Sequence, residues 1–381
     1  MNQNNNIQDQ ILKTIKDLIG FRTVEKAFGE FNKAVQYCED FFSGSGVIIK
    51  KYDFNGYPAL VILSSDTKHP AFMLQGHLDV VDGLDSQFEA QCKGEYVYGR
   101  GTVDMKGFDA VAMHLVKHLS KSHPKISIGL MLTFDEEIGG NRGAACLAKE
   151  NYLPGILING DGGYNHAVIF AEKGILKIKL QVKSESGRHT YPWDGQNAFD
   201  LLMEDYSRII ALFKNQNVAT YSDNWYTTYS SYDIIVKNKP MFAPHYAEMK
   251  VNIYFTEDIS NDSLYQNIKS LVKNAKIENL MSCERVYLEP DSKQITRMQQ
   301  KMQYHFNQPI IIRSENGSSD ARFFTNKGID IVILKMVGED HHGPKERLHI
   351  PSIVPMYNSL IDFILESVKK SNLKEEEFLN V

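Results

Sequence analysis

The sequence predicts an α/β protein in which a mostly parallel, doubly wound sheet is interrupted by an inserted α+β domain. Three observations support this fold class. The chain has 381 residues, which suits two domains rather than one. Short apolar runs alternate with helical patterns over residues 1–173 and 289–381, as in a parallel sheet covered on both faces. Residues 174–288 instead contain longer strands and two helices, a pattern typical of an antiparallel sheet with helices on one face.

The outer domain begins with helices and two strands. Apolar residues recur at helical spacing in IQDQILKTIKDLIG, and GVIIKKYDF and YPALVILSS read as strands. Four short apolar runs follow, and each ends in polar residues. They are AFMLQ before residues 76–77, ISIGLMLTF before 135–137, GILIN before 160–161, and IDIVILKM before 339–344. Helices are predicted over residues 105–119, 143–150 and 320–327, and a last amphipathic helix over 352–368.

The inserted domain has its own order of elements. It comprises the strand ILKIKLQV, the helix QNAFDLLMEDYSRIIALF, the strands YDIIV and YAEMKVNIYF, and the helix DSLYQNIKSLVKNA. We expect the strand YAEMKVNIYF to lie at an open edge of the sheet, where it could pair with the same strand of a second chain.

Composition excludes several classes of function. The formal net charge of -5 gives no basic surface for nucleic acid or an anionic membrane. The four cysteines form no CxxC pair, so the sequence predicts neither a disulfide framework nor a zinc finger, and reduced thiols indicate a cytoplasmic protein. The polar start lacks a signal-peptide pattern, and no apolar run is long enough to span a bilayer.

Chemically reactive side chains follow the predicted strands. They are His77, Asp79, Glu136, Glu137, Asp161 and His342, together with Asp104 from the glycine-rich stretch YGRGTVDMKG. Because ligands gather beyond the carboxyl ends of strands in open α/β sheets, we expect these groups to converge on one edge. Imidazoles and carboxylates without thiolates suit zinc, with cobalt or manganese as alternatives.

Each of these motifs also has a purely structural explanation. Asp104 could cap a helix, the acids of TFDEEIGG could begin one, and NGDGG could form a turn. These explanations account poorly for the joint occurrence of the motifs at successive strand ends. Three carboxylates crowded after one strand also repel each other unless a cation compensates their charge.

The motifs as a set resemble a known family, the co-catalytic zinc hydrolases that include succinyl-diaminopimelate desuccinylase, acetylornithine deacetylase, aminoacylase and glutamate carboxypeptidase. The matching segments are GHLDVV at 76–81, GRGTVDMKG at 99–107, DEE at 135–137, GDGG at 160–163, GSSDARF at 317–323 and HGPKE at 342–346. The resemblance covers nearly the whole chain. It implies a homodimeric hydrolase that uses two divalent metal ions to cleave the amide bond of a small N-acyl amino acid or a short peptide.

The resemblance also implies a role for each residue. Asp104 bridges the two metals, Glu136 is the general base, and Asp79 orients the imidazole of His77 through a hydrogen bond. His77 and Asp161 complete one metal site, and Glu137 and His342 complete the other. His342 is preferred over His341 because the family places an acid four residues after this ligand, where Glu346 stands. Residues 1–173 and 289–381 form the catalytic domain, and residues 174–288 form a lid and dimerisation domain.

The sequence departs from the family where the substrate would be recognised. The family has a lid histidine four residues before a proline, but His189 lies three before Pro192 and Arg188 occupies the usual place. The substrate-facing asparagine and arginine of desuccinylase-like members are replaced by Met241 and Tyr254.

The candidates for substrate binding are therefore Arg188, His189, Ser318 and Arg322. Lys239 is a further cation that could hold a substrate carboxylate. Ser318 is the better candidate for direct substrate contact, because Arg322 is expected to brace the GSSDARF loop.

Three functions are compatible with this pattern. The first is a deacylase of N-acyl amino acids, similar to deacetylases and desuccinylases. The second is a di- or aminopeptidase, favoured by the missing arginine and by Asp161, where the deacylating branches usually have glutamate. The third is a metal-binding protein without catalysis, which has no need of a free base such as Glu136 beside its ligands.

Overall fold

The computed structural model describes residues 2–213, 225–256 and 259–379, and it divides the chain into two compact units. The first unit comprises the residues up to Phe170, Tyr287–Arg313 and the residues from Ser319 onward. The second comprises Ala171–Val286 and Ser314–Ser318, a short segment that the sequence prediction places in the outer domain.

The helices carry apolar residues on the faces that pack inward. In α1, for example, Ile11, Ile15 and Leu18 are fully buried at helical spacing. The α-helices of the described residues are α1 Asn2–Ile19, α2 Phe28–Phe42, α3 Lys106–Ser122, α4 Ala144–Lys149, α5 Ala198–Ala211, α6 Asn261–Leu271, α7 Lys293–Phe306 and α8 Ile353–Leu379. None of them is both long and apolar enough to cross a membrane.

The strands are mostly short, and several of the longer ones in the first unit are buried along their whole length. Those of the described residues are β1 Ile48–Phe54, β2 Tyr57–Leu63, β3 Phe72–His77, β4 Gln91–Lys93, β5 Tyr96–Tyr98, β6 Ile128–Thr133, β7 Ile156–Asn159, β8 Ala167–Glu172, β9 Gly174–Lys183, β10 Thr228–Lys237, β11 Tyr246–Phe255, β12 Lys276–Cys283, β13 Val286–Tyr287, β14 Ile311–Glu315, β15 Asp330–Ile333, β16 Gly338–Glu339 and β17 Arg347–His349.

The main sheet of the first unit has a parallel centre and antiparallel edges. Its order is β1-β2-β6-β3-β7-β15-β8-β13, and β14 also pairs with β8. β3 pairs in parallel with β6 and β7, and β15 pairs in parallel with β7, whereas β1, β2 and β8 join antiparallel. Strands β3, β6 and β7 are entirely buried, as expected for a sheet covered on both faces. The predicted fold class is confirmed.

Local sequence explains a tight turn and a close packing contact in this sheet. Asn55 and Gly56 both have left-handed backbone, which suits a tight hairpin between β1 and β2. Gly160, just after β7, has the ring of Phe108 where a side chain would begin, because a Cβ there would lie 2.1 Å from the ring. Helix α3 can therefore pack directly against the carboxyl end of the sheet.

The second unit contains an antiparallel sheet in the order β10-β11-β9-β12, with α5 and α6 contributing to its core. The expectation that YAEMKVNIYF lies at an open edge is wrong, because β11 is hydrogen-bonded to β10 on one side and to β9 on the other. Every second residue of β11 is buried, which explains its interior place. The edges are β10 and β12.

Two further elements differ from the prediction. The helix expected over residues 320–327 is only a 3-10 turn at Asp320–Phe323, capped by the Ser319 side chain. A small sheet in the order β16-β17-β5-β4 was not predicted, because strands of two or three residues carry no clear periodicity. This sheet flanks the loop of residues 340–346.

Candidate metal centre and catalytic site

His77 is the last residue of β3, and its ring is buried at the carboxyl end of the sheet. Nδ1 lies 2.9 Å from the carbonyl oxygen of Asp79 and 3.5 Å from its carboxylate. Since a carbonyl only accepts, Nδ1 donates and the ring presents Nε2 towards Asp104. The nearer acceptor is thus the backbone of Asp79, while its carboxylate accepts from the backbone N–H of Glu137 at 3.0 Å.

The two carboxylate oxygens of Asp104 face different imidazoles. Oδ1 lies 3.0 Å from Nε2 of His77, and Oδ2 lies 2.7 Å from Nε2 of His342. Ligand atoms within 4.8 Å of one another form two groups that share Asp104: one adds His77 and Asp161, and the other adds His341 and His342. A carboxylate shared in this way is suited to bridge two cations.

The second group contains a histidine that the sequence argument set aside. His341 and His342 both contact Oδ2 of Asp104, and their ring centroids are 4.1 Å apart. His342 also lies 3.2 Å from Oε1 of Glu137, so it contacts both of the other predicted ligands of that site, Asp104 and Glu137. His341 could have been suspected from its place beside His342, but spacing alone does not give the direction of its ring.

The loop that carries Asp104 is held by Glu346. This buried carboxylate accepts from Arg100 Nη1 at 2.7 Å and from the backbone N–H groups of Gly101 at 3.1 Å and Val103 at 2.9 Å. Glu346, whose spacing from His342 indicated the ligand in the sequence, therefore joins the loop of residues 340–346 to the glycine-rich loop.

Charges within the site are balanced between imidazoles and carboxylates. Burial alone would raise the pKa of Asp104, but hydrogen bonds from His341, His342 and His77 hold it well below its usual range. Hydrogen bonds to Asp104 and Glu137 raise the pKa of His342 to about 10. The imidazole nitrogens and carboxylate oxygens of this cluster are donors that suit zinc, cobalt or manganese.

Glu136 lies in a 3-10 turn that follows β6, next to these ligands. Burial, assisted by Glu137 and Asp104, raises its pKa to about 7, although His77 and Arg322 oppose the shift. A carboxylate with a pKa near neutrality can both accept and return a proton. A cavity of about 420 Å³ adjoins this edge of the sheet and is lined in part by Asp79, Glu137 and Ile138.

The four predicted substrate-binding residues fall in different units. Arg322 belongs to the first unit and lies 3.3 Å from Glu136. Arg188, His189 and Ser318 belong to the second unit. There, the Arg188 guanidinium lies over the ring of Tyr191 at 5.1 Å, and the backbone N–H of His189 donates to the carbonyl of Met241 at 3.0 Å.

Comparison with known proteins identifies the family to which the chain belongs. The model of the family described as Peptidase family M20/M25/M40 matches residues 73–366. A succinyl-diaminopimelate desuccinylase from Rickettsia massiliae is 24% identical over 386 residues, covering 92% of this chain and 98% of the relative. A probable succinyl-diaminopimelate desuccinylase from Staphylococcus aureus is 25% identical over 342 residues, covering 79% of this chain and 85% of the relative.

Solved structures share the fold at lower identity. A tripeptidase from Staphylococcus aureus aligns with a TM-score of 0.75 at 16% identity, covering 94% of this chain and 97% of the other. An M20 family metallo-carboxypeptidase from Sulfolobus solfataricus aligns with a TM-score of 0.76 at 16% identity, covering 93% and 98%. Because the family model spans well over half of the sequence, the chain belongs to peptidase family M20/M25/M40 and is an enzyme that hydrolyses amide or peptide bonds.

Proposed function

We propose that the chain is a two-metal hydrolase that cleaves the amide bond of a small N-acyl amino acid, in the manner of a deacetylase or desuccinylase. The observation that carries this proposal is the placement of Asp104, whose two oxygens face two separate groups of ligands. Zinc is the proposed metal, with cobalt or manganese as replacements.

Each ligand has a defined place in this scheme. His77 and Asp161 would hold one cation, Glu137 and His342 would hold the other, and Asp104 would contribute to both sites. Two bound divalent cations would polarise the scissile carbonyl and lower the pKa of a bound water. The backbone carbonyl of Asp79 supports the geometry by keeping Nδ1 of His77 protonated, so that Nε2 faces the metal.

Glu136 moves the proton in this reaction. It accepts a proton from the water as the water oxygen forms a bond to the carbonyl carbon. It then returns that proton to the amide nitrogen as the C–N bond breaks, which gives a carboxylic acid and an amine. The raised pKa of Glu136, about 7, suits both steps near neutral pH.

A peptidase of the same family is the second candidate. Met241 and Tyr254 supply no cation where a succinyl carboxylate would be held, and Asp161 is the residue more usual in dipeptidases and aminopeptidases. Several neighbours in fold are described as peptidases, among them a tripeptidase and an aminopeptidase. A catalytically silent metal-binding protein is less well supported, because it would leave Glu136, whose side chain is only 13% exposed, without a role.

The remaining substrate and assembly assignments are part of the same proposal. Arg188, His189 and Ser318 are proposed to contact the substrate, and the inserted domain is proposed to act as lid and dimerisation domain of a cytoplasmic homodimer. The open strand β10 exposes Ile234, Ile235 and Val236, which supports a partner at this edge. Light scattering on the active enzyme tests the dimer, and an active monomer would contradict it.

A hydrolysis panel tests the proposed reaction. The full chain is loaded with zinc, cobalt or manganese and assayed on N-acetyl amino acids, N-succinyl amino acids and dipeptides. We expect turnover of one of these classes, and preference for dipeptides would favour the second candidate.

A variant tests the proposed base. Glu136→Gln keeps the size of the side chain but cannot accept the proton, so we expect turnover to fall by about 10²–10⁴-fold with the metal content unchanged. Glu150→Gln, which alters an exposed carboxylate paired with Lys68, is the matched control. Full activity of Glu136→Gln would show that the assigned base is wrong.

A further inference from the structure

We propose that Arg322 is a positioning residue for Glu136 and not a ligand of the substrate. This inference rests on the proposed function, in which Glu136 is the base. Nη1 of Arg322 lies 3.3 Å from Oε1 of Glu136, and the two side chains are only 2% and 13% exposed. Because this contact is made to Oε1, it can fix the carboxylate while Oε2 handles the proton.

Arg322 is itself held from more than one side. Its Nη2 lies 3.3 Å from Oδ1 of Asp320, and its guanidinium lies over the ring of Phe323 at 4.7 Å. Oδ2 of Asp320 accepts a hydrogen bond from Thr133 at 3.5 Å, at the end of β6. The arginine therefore links the base to the same strand end from which the base-bearing turn departs.

The turn that carries Glu136 needs such support. It is a three-residue 3-10 turn followed by Gly139 and Gly140, both with left-handed backbone. A Cβ at Gly140 would lie 1.9 Å from Oδ1 of Asp320, so the turn packs directly against the carboxylate that braces Arg322. The neighbouring carboxylates of Glu137 and Asp104 repel Glu136, and Arg322 supplies an opposing positive charge.

The same contacts argue against direct binding of a substrate carboxylate by Arg322. Two carboxylates of the enzyme, those of Glu136 and Asp320, already face the guanidinium, and the side chain is almost completely buried. A substrate carboxylate would have to displace one of them. Of the two roles that the sequence leaves open for Arg322, we therefore propose the bracing one, extended to Glu136, over substrate binding.

Steady-state kinetics distinguishes the two roles. The panel substrate that the metal-loaded wild-type enzyme turns over is assayed with Arg322→Met, Arg322→Lys and Arg347→Met, the last altering a partly exposed arginine paired with Glu339. Loss of positioning lowers kcat, and we expect a fall of about 10²-fold in Arg322→Met. We expect KM to change less than about threefold and the metal content to stay at the wild-type value.

The charge-conserving variant Arg322→Lys should lose less activity, and it keeps the test usable if Arg322→Met does not fold. The control Arg347→Met should match the wild type. A rise in KM with kcat retained, in either Arg322 variant, would overturn the proposal and return Arg322 to substrate binding.

A double variant distinguishes action through Glu136 from a merely structural role of Arg322. If Arg322 acts through Glu136, then adding Arg322→Lys to Glu136→Gln should cause no further loss of residual turnover. A loss that adds to that of Glu136→Gln would overturn the inference. Wild-type turnover with unchanged kcat in both Arg322 variants would overturn this inference alone, whereas absence of wild-type turnover across the panel would overturn the proposed function as well.

Discussion

Replacing Glu346 by glutamine tests how the loop that carries Asp104 is held. Glu346 is buried, and it accepts hydrogen bonds from Arg100 Nη1 at 2.7 Å and from backbone N–H groups of the glycine-rich loop. The variant keeps the size of the side chain but removes the charge that offsets the buried guanidinium. It also places an N–H₂ group where one of the two oxygens now accepts.

The size of the effect follows from these contacts. Removing one partner of a buried ion pair costs about 3–5 kcal/mol, because the other charge remains buried without compensation. Since one amide oxygen can still accept, we expect the free energy of unfolding to fall by about 3 kcal/mol. Nη2 of Arg100 also donates to the carbonyl of His342 at 3.0 Å, so loosening Arg100 should weaken metal affinity by about 10–100-fold.

Denaturant unfolding and metal titration measure both quantities. The matched control is Glu339→Gln, which removes the carboxylate of an exposed pair with Arg347 whose side chains are 48% and 23% exposed. Such a pair contributes no more than about 1 kcal/mol. The reasoning would be refuted if Glu346→Gln unfolded within about 1 kcal/mol of the control and bound metal as tightly as the wild type.

Three further predictions concern metal, pH and backbone. Chelation of the wild-type enzyme should abolish turnover, and zinc, cobalt or manganese should restore it; turnover that survives full chelation, measured by metal analysis, would contradict the metal requirement. Burial lowers the pKa of His114 from 6.5 to about 4. The neutral imidazole therefore makes its full contribution to the free energy of unfolding above pH 6.5, and this contribution is lost as the pH falls towards 4. The loss reaches about 2 kcal/mol at pH 5, and urea unfolding of His114→Gln should show a correspondingly weaker pH dependence than the wild type. Gly140→Ala should lower the free energy of unfolding by about 1–2 kcal/mol, seen as a lower melting temperature, because the backbone is left-handed there and a Cβ has no space. The control Gly29→Ala should not destabilise, because a Cβ at Gly29 would meet nothing within 4 Å.

Much of the site could be predicted because local pattern and chemistry coincide there. Apolar runs that are buried on both faces of a sheet are recognisable as strands, and their polar ends mark one edge. This pattern alone predicts His77, Glu136 and Asp161 at the carboxyl ends of β3, β6 and β7. The resemblance then supplied the pairing of Asp104 with these groups.

Other features depend on contacts that pattern does not encode. The rings of His341 and His342 both reach Asp104 in a loop where Asp340 and His342 adopt left-handed backbone, which is uncommon for residues with side chains. The approach of Arg322 to Glu136 joins residues far apart in the chain. Spacing in the sequence can suggest neither ring direction nor such a long-range pair.

The interior place of β11 has a similar explanation. Alternating burial predicts that a strand has one face on the core, but it does not state how many neighbours the strand has. β11 alternates between buried and half-buried residues along its whole length and takes a central position, whereas the open strand β10 is more exposed. Edge positions were therefore the least predictable part of the second unit.

A crystal structure of the zinc-loaded enzyme, with anomalous differences measured at the zinc edge, tests the central claim most directly. We expect two peaks ~3.5–4 Å apart, one on the His77 side and one on the His342 side of Asp104. A single peak, or two peaks that do not share Asp104, would contradict it.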